Sequence, residues 1–189
     1  MTNFKIDPAS VAFDIDGVFA DTMTLFLEIA LDEYNIDWVR YDDLTCYMLE
    51  ECIDIDTPII KAIIARIIDG NHAAPLKPIA GATEVLTRLG RNYSPILFVT
   101  ARPHLDSIFK WVRRVLPLDP ASIEVIATGS FDAKADVLVD RNISYFVEDR
   151  LETCFPLQKA GITPVLFKQP WTENSIRLRK WKAGRSLKR

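Results

Sequence analysis

Cysteine is scarce in this chain and badly placed for structural work. The 189 residues hold Cys46, Cys52 and Cys154 and no other. An odd number cannot be fully paired, and the six-residue step between the first two fits neither a C-x-x-C motif nor a zinc half-site. The sequence therefore predicts a reducing, cytoplasmic protein without structural disulfides. Histidine is scarcer still, with His72 and His104 alone. No serine sits in a nucleophile elbow, so a Ser-His-acid triad is not expected. The seven glycines are scattered and form no phosphate-cradling loop of the P-loop or dinucleotide type. No apolar run nears the ~18–20 residues of a membrane span, and Met1-Thr2-Asn3-Phe4-Lys5 lacks a signal-peptide pattern. No membrane partner is expected.

Charge is present in both signs but unevenly placed. Residues 177–189 carry seven basic side chains and no acid, which leaves −10 for the rest of a chain whose total is −3. The tail reads as a solvated, basic C-terminus. The acidic body speaks against a nucleic-acid polymer as partner. At this length one good core can be buried, with room for a modest appended subdomain.

What is there in strength is an alternation of short apolar runs with helical patterns. The runs are 11–13, 96–99, 123–127, 143–147 and 164–167, and the helices between them 80–90, 103–116, 132–140 and 151–160. Runs of this kind are the mark of strands buried on both faces of a parallel sheet. Pro103 is placed for a first helical turn, and Gly161 for the position after a helix end. Residues 22–76 break the alternation with helical patterning alone. Thr57-Pro58 reads as an N-cap followed by Pro, and Ile59, Ile60, Ile63, Ile64, Ile67 and Ile68 form a stripe expected to be core.

The polar residues that end the strands carry the chemistry. Val11-Ala12-Phe13-Asp14-Ile15-Asp16-Gly17-Val18 closes an apolar run on two aspartates two apart, which share a site if the extended geometry persists. The second run ends in Thr100, with Arg102 just beyond, and the fourth in Glu148-Asp149. Lys134 lies in the first turn of the helix that Asp132 opens before that fourth run. In a parallel sheet these ends meet at one edge. Hard oxygen ligands from Asp14, the Asp16 carbonyl and Asp149 suit Mg²⁺. Thr100 and Lys134, with Arg102, would hold phosphate oxygens. Asp14 is then the nucleophile and Asp16 the acid/base. An EF-hand is not supported, because its fifth, sixth and twelfth positions would be Val18, Phe19 and Leu25.

These motifs, in this order, resemble the haloacid-dehalogenase-like (HAD) hydrolase superfamily. Asp14-Ile15-Asp16-Gly17-Val18 matches its first motif, Thr100 its second, Lys134 its third and Glu148-Asp149 its fourth. The resemblance implies a Rossmann-like parallel α/β core from residues 1–21 and 77–189, with 22–76 as a helical C1-type cap. Asp-Gly-Val-Phe-Ala-Asp-Thr, Thr-Ala-Arg-Pro and Gln169-Pro170-Trp171 are similar to the 5′(3′)-deoxyribonucleotidase-like branch. It implies a Mg²⁺-dependent phosphohydrolase acting on a small phosphomonoester, 5′-nucleotidase-like, through an aspartyl phosphate. Family members with Glu-Asp in the fourth motif put Asp149 on the metal directly and Glu148 behind bound water. A phosphotransferase or phosphomutase, or a binding protein on the same fold, are the alternatives. Phe19, Phe26, Trp38, Tyr41 and Tyr47 are the aromatic candidates for contact with substrate.

Overall fold

The computed structural model describes residues 6–173; the basic stretch 177–189 lies outside the described residues. Five strands form one wholly parallel sheet: β1 (Val11–Phe13), β2 (Ile96–Thr100), β3 (Ile123–Ala127), β4 (Tyr145–Glu148) and β5 (Thr163–Leu166). Their order is β3-β2-β1-β4-β5, so the chain winds outward from β1 first to one side and then to the other. β1 sits in the middle, with Ala12 opposite both Leu97 and Phe146. In such a sheet ligands bind beyond the carboxyl end of the central strands, where the winding changes direction. The expected α/β class is the observed one.

Side chains alternate between two cores, as the two-residue period of a strand requires. Ile96 and Phe98 join one core, and Leu97 and Val99 the other with Ala12 and Phe146. Helices α3 (Ala82–Asn92) and α4 (Asp106–Val115) cover the first face. Helices α5 (Lys134–Asp140) and α6 (Leu151–Lys159) cover the second.

Between β1 and α3 lie α1 (Thr22–Tyr34), α2 (Thr57–Asp69) and short 3₁₀ turns, with no strand. Asp21 caps α1 by accepting from the Thr24 N–H, and Gly70, at φ +76°, ends α2. The segment enters and leaves through a neck. There Asp21 N–H bonds to Lys77 O, Ile79 N–H to Phe19 O, and Ala20 pairs antiparallel with Pro78. Its apolar residues are continuous with the first core: Phe26, Ile29, Ile63 and Ile67 belong to the same cluster as Phe98 and Trp111.

Several boundaries differ from expectation for local reasons. β4 starts at Tyr145, because Asn142 adopts φ +54° and Ile143 N–H turns back to Leu138 O to close α5. α5 begins at Lys134 rather than at 132, after a turn in which Ala133 N–H bonds Ser130 Oγ. Pro103 precedes α4 by a turn instead of opening it. Asp56, not Thr57, occupies the N-cap of α2. β5 is displaced one residue toward the N-terminus, since Thr163 N–H pairs with Ser144 O. Among the described residues no helix is long and apolar enough to cross a membrane.

Candidate active site

β1 ends at Phe13, and the Asp14 N–H still bonds Val147 O at 2.9 Å, so Asp14 leaves the sheet in line with the strand. The extended geometry goes no further. The Ile15 carbonyl accepts from the N–H groups of Val18, Phe19 and Ala20, and Gly17 turns the chain at φ +72°. The two aspartates still face one cavity, brought there by a tight loop and not by strand alternation.

Lys134 is wholly buried at the start of α5. Its ammonium donates to Asp14 Oδ2 at 2.7 Å and to Glu148 Oε2 at 2.8 Å. Asp14 Oδ1 accepts from the Ile15 N–H at 2.7 Å, and Glu148 Oε1 from the Arg150 N–H at 2.9 Å. Asp149, beside them, accepts from the Trp171 indole at Oδ2, 2.9 Å away. Asp14, Glu148 and Asp149 can each bring one oxygen within 4.8 Å of the others, all three buried. One ammonium does not balance three acids out of water. Burial above all, together with Glu148, lifts Asp14 to about 8 despite Lys134. Burial, Glu148 and Asp14 push Asp149 well above the usual carboxylate range. Oxygen donors alone, short of positive charge, are the donor set of a hard divalent cation such as Mg²⁺. The residues fit that ion.

Asp16 faces the opposite demand. Burial would raise its carboxyl, but the Arg102 guanidinium, then Thr22, carry it below the ordinary value. Arg102 donates from Nε to Oδ2 at 2.8 Å and from Nη2 to Oδ1 at 2.7 Å, and the Thr22 hydroxyl donates to Oδ1 at 2.6 Å. Arg102 Nη1 also reaches the Ile67 and Ile68 carbonyls, at 3.1 and 3.2 Å, at the C-terminal end of α2. The fork of Arg102 thus grips Asp16 and the end of a helix, and the residue also lines the cavity beside Asp14 and Thr100. Thr100 closes β2, 1 % exposed, with its hydroxyl accepting from the Arg102 N–H at 3.3 Å. A cavity of about 170 Å³ lies against Asp14, Asp16, Thr100 and Arg102.

A larger cavity of about 480 Å³ adjoins it, sharing Asp16, Thr22, Ile64 and Phe131 in its lining. Its surface is mostly apolar, with Met48, Leu49 and Ile60 beyond the shared part. Of the five aromatic candidates only Tyr47 lines it. Phe19 stacks on Phe98 and Phe26 is fully buried, both in the core; Trp38 is exposed and donates to Asp54 O; Tyr41 donates to Gln169 Oε1. Phe131 and Trp171, which sequence reasoning passed over as pocket residues, come from the sheet side. Arg150 lies between Phe131 and Tyr47, 4.3 and 5.0 Å from the ring centres, joining body to insertion. The isoleucine stripe of α2 is divided. Ile63 is core, and Ile67 is core that also lines the smaller cavity. Ile60 belongs to both the core and the larger cavity, and the part-buried Ile64 and Ile68 wall the larger cavity. The signal that marks Phe131 was its place three residues before Lys134, and that for Trp171 was the Gln169-Pro170-Trp171 string.

The fold and the sequence together define a phosphohydrolase of the haloacid-dehalogenase-like type. The chain belongs to the family described as 5′ nucleotidase, deoxy (pyrimidine), cytosolic type C protein, whose model it matches over residues 8–181. No curated protein matches it in sequence. Among solved structures it is similar to a hydrolase from Streptococcus pneumoniae TIGR4 (15 % identity, 92 % of this chain and 97 % of that one, TM-score 0.52). It is also similar to a protein described as a predicted phosphoglycolate phosphatase from Haemophilus somnus 129PT (13 % identity, 86 % of each chain, TM-score 0.53). At such identities the likeness is one of fold.

Proposed function

We propose that the protein is a Mg²⁺-dependent phosphatase of small phosphomonoesters, a nucleoside monophosphate among them, working through an aspartyl phosphate on Asp14. The observation that carries the reading is the buried group of Asp14, Glu148 and Asp149 around Lys134, opening on a cavity shared with Asp16 and Thr100. Asp14, Asp149 and the Asp16 carbonyl would hold the cation. Glu148, with its two oxygens on Lys134 and the Arg150 N–H, would reach it through bound water. When bound, Mg²⁺ supplies charge that keeps Asp14 ionised and draws a phosphate oxygen into the acidic cluster.

Asp14 attacks phosphorus, the bond to the alcohol oxygen breaks, and Asp16 gives the departing alkoxide its proton. Asp16 then takes a proton from water as that water attacks the aspartyl phosphate, releasing phosphate and the Asp14 carboxylate. Thr100 and Lys134 bind the phosphoryl oxygens, by direction and by charge respectively. Arg102 holds Asp16 in its charged form. That form suits the second half of the cycle; in the first half the fork has to release an oxygen before Asp16 carries a proton. Residues 22–76 serve as the cap, closing the larger cavity around the group esterified to phosphate. An apolar space with Tyr47, Phe131 and Trp171 in its wall favours a flat ring there, as in a nucleobase.

Turnover of p-nitrophenyl phosphate tests this directly. Release should require Mg²⁺ and stop in EDTA, and Asp14→Asn and Asp16→Asn should each abolish it in folded protein. Substantial turnover by Asp14→Asn would overturn the covalent route. A panel of ribo- and deoxynucleoside monophosphates set against sugar phosphates tests the substrate; nucleotides no better than the rest would remove the nucleotide reading.

A further inference from the structure

The string Gln169-Pro170-Trp171 has no part in the chemistry above, yet the structure ties it to the site at several points. Trp171 is 5 % exposed, and its indole N–H points at Asp149 Oδ2 at 2.9 Å. Gln169 Nε2 donates to the Gly17 carbonyl at 2.7 Å, and Gln169 N–H to Thr172 Oγ1 at 2.9 Å. Thr172 Oγ1 in turn donates to Phe167 O at 3.2 Å, closing the turn that presents the tryptophan. Tyr41, from the insertion, donates to the same Gln169 side chain at 3.0 Å. Gly17 completes the fit: a Cβ there would lie 2.8 Å from Asp149 Cγ and 3.2 Å from the Trp171 ring. The loop after β1 leaves room for this carboxylate and this indole together.

From this we infer that Trp171 is the positioning residue of Asp149: its N–H fixes Oδ2 and so sets how the carboxylate faces the acidic cluster. The inference rests on the reading that Asp14 and Asp149 hold Mg²⁺. The nature of the donor is the argument. Asp14 and Glu148 are oriented by Lys134, a cation that also cancels part of their charge. Asp149, besides its contact with the Glu148 carboxyl, has a neutral partner that can only donate. An indole orients a carboxylate without neutralising it, so the negative charge of Asp149 stays available to an incoming cation. A lysine there would compete with the metal; an apolar ring would let the carboxylate rotate. Outer-sphere donors of this kind typically tune metal affinity by about 10–100-fold.

Trp171→Phe keeps the ring packing and deletes the N–H. Calorimetric titration with MgCl₂, with no substrate present, should show a dissociation constant raised about 10–100-fold, while melting in EDTA stays close to wild type. Wild-type affinity in Trp171→Phe would overturn the role. A second readout uses the intact chain. In ¹⁵N-indole NMR spectra the Trp171 resonance, identified by its loss in Trp171→Phe, should move on MgCl₂ addition. The indoles of Trp38 and Trp111, bonded to the Asp54 and Leu76 carbonyls, should stay. Should Trp171→Phe fail to fold, Trp38→Phe, Trp111→Phe and Trp181→Phe assign the fourth indole by elimination. A Trp171 indole unmoved at saturating MgCl₂ overturns the inference even then. A wild type that binds no Mg²⁺ overturns the metal reading itself, and this role with it. Binding by the wild type, equalled by the variant, overturns the tryptophan's role alone.

Discussion

Arg102 holds Asp16 by both carboxylate oxygens, and with its third nitrogen holds the last turn of α2. Asp16, the proposed acid/base, and the insertion above it are therefore linked through one guanidinium. Arg102→Ala removes the fork and leaves Asp16 with Thr22 alone. Losing one partner of a buried pair costs about 3–5 kcal/mol; with the Asp16 side chain 32 % exposed, about 2–3 kcal/mol is expected here. The Asp16 carboxyl should also titrate at higher pH, moving upward the limb of the kcat/KM profile that it governs. Urea unfolding and a pH–rate profile check the two effects separately. An unmoved profile would separate Arg102 from the chemistry.

Lys134 is the cation that bridges Asp14 and Glu148, both nearly fully buried. Lys134→Met should cost about 3–5 kcal/mol by orphaning two carboxylates, or roughly 6–20 °C in Tm for a chain of this size. The deficit should be smaller at pH 5 than at pH 8, because the orphaned acids can take up protons. Thermal melts at the two pH values in EDTA would show it.

Metal binding should release protons. Asp14 is raised to about 8 and Asp149 is raised well above its usual range, so protons compete with the cation below that pH. Apparent Mg²⁺ affinity should climb between pH 6 and pH 8 in calorimetric titrations. For metal-free protein the sign is reversed. An acid whose folded pKa is raised contributes stability that is full below the unfolded value and lost as pH rises through about 8. Melting in EDTA should fall from pH 6 to pH 8.5 by more than it does with saturating Mg²⁺.

Gly17→Ala imposes a left-handed backbone on a residue with a Cβ, at a cost of about 1–2 kcal/mol. It also drives that Cβ into the Asp149 carboxylate. Lower stability and weaker Mg²⁺ binding are expected together, measured by melting and by titration. Loss of stability with unaltered metal binding would show that the Asp149 carboxylate tolerates displacement.

The larger cavity should discriminate by ring. Met48→Ala removes wall of the larger cavity that the smaller one, with Asp14 and Thr100, does not share. KM for a nucleoside monophosphate should rise about tenfold, equivalent to roughly 1.4 kcal/mol, with kinetics on a small alkyl phosphate unchanged. Equal effects on both substrates would place the ring elsewhere.

The sheet was legible because strands buried on both faces read as unbroken apolar runs, and all five were found within one or two residues of their ends. Asp14, Thr100, Lys134 and Glu148-Asp149 converge because parallel strands send their carboxyl ends to one edge, a consequence of topology that spacing conveys. The partner of Arg102 was not legible: it lies 86 positions away in the chain, and nothing local marks it. Nor was the divided duty of the isoleucine stripe. A helical period reveals an apolar face, not whether side chains or a cavity lie opposite. Phe131 and Trp171 escaped for a related reason, since one reaches the cavity from a loop and the other from the short helical turn 170–173, where no apolar period speaks. The helix starts at Asp106 and Lys134 were misplaced because turn hydrogen bonds, not the apolar pattern, decide where those helices begin.

Helix α2 turns one side of its stripe to the core and the adjoining side to the cavity, with Ile60 belonging to both. The shape of the cavity and the packing of the core are thereby written in the same residues. Enlarging the cavity at Ile60 removes packing that holds the insertion to the body, and filling it disturbs the same contacts. Met48, half exposed just ahead of the 3₁₀ turn Leu49–Glu51, lines the same cavity, and there the wall can be rebuilt with less of the core behind it.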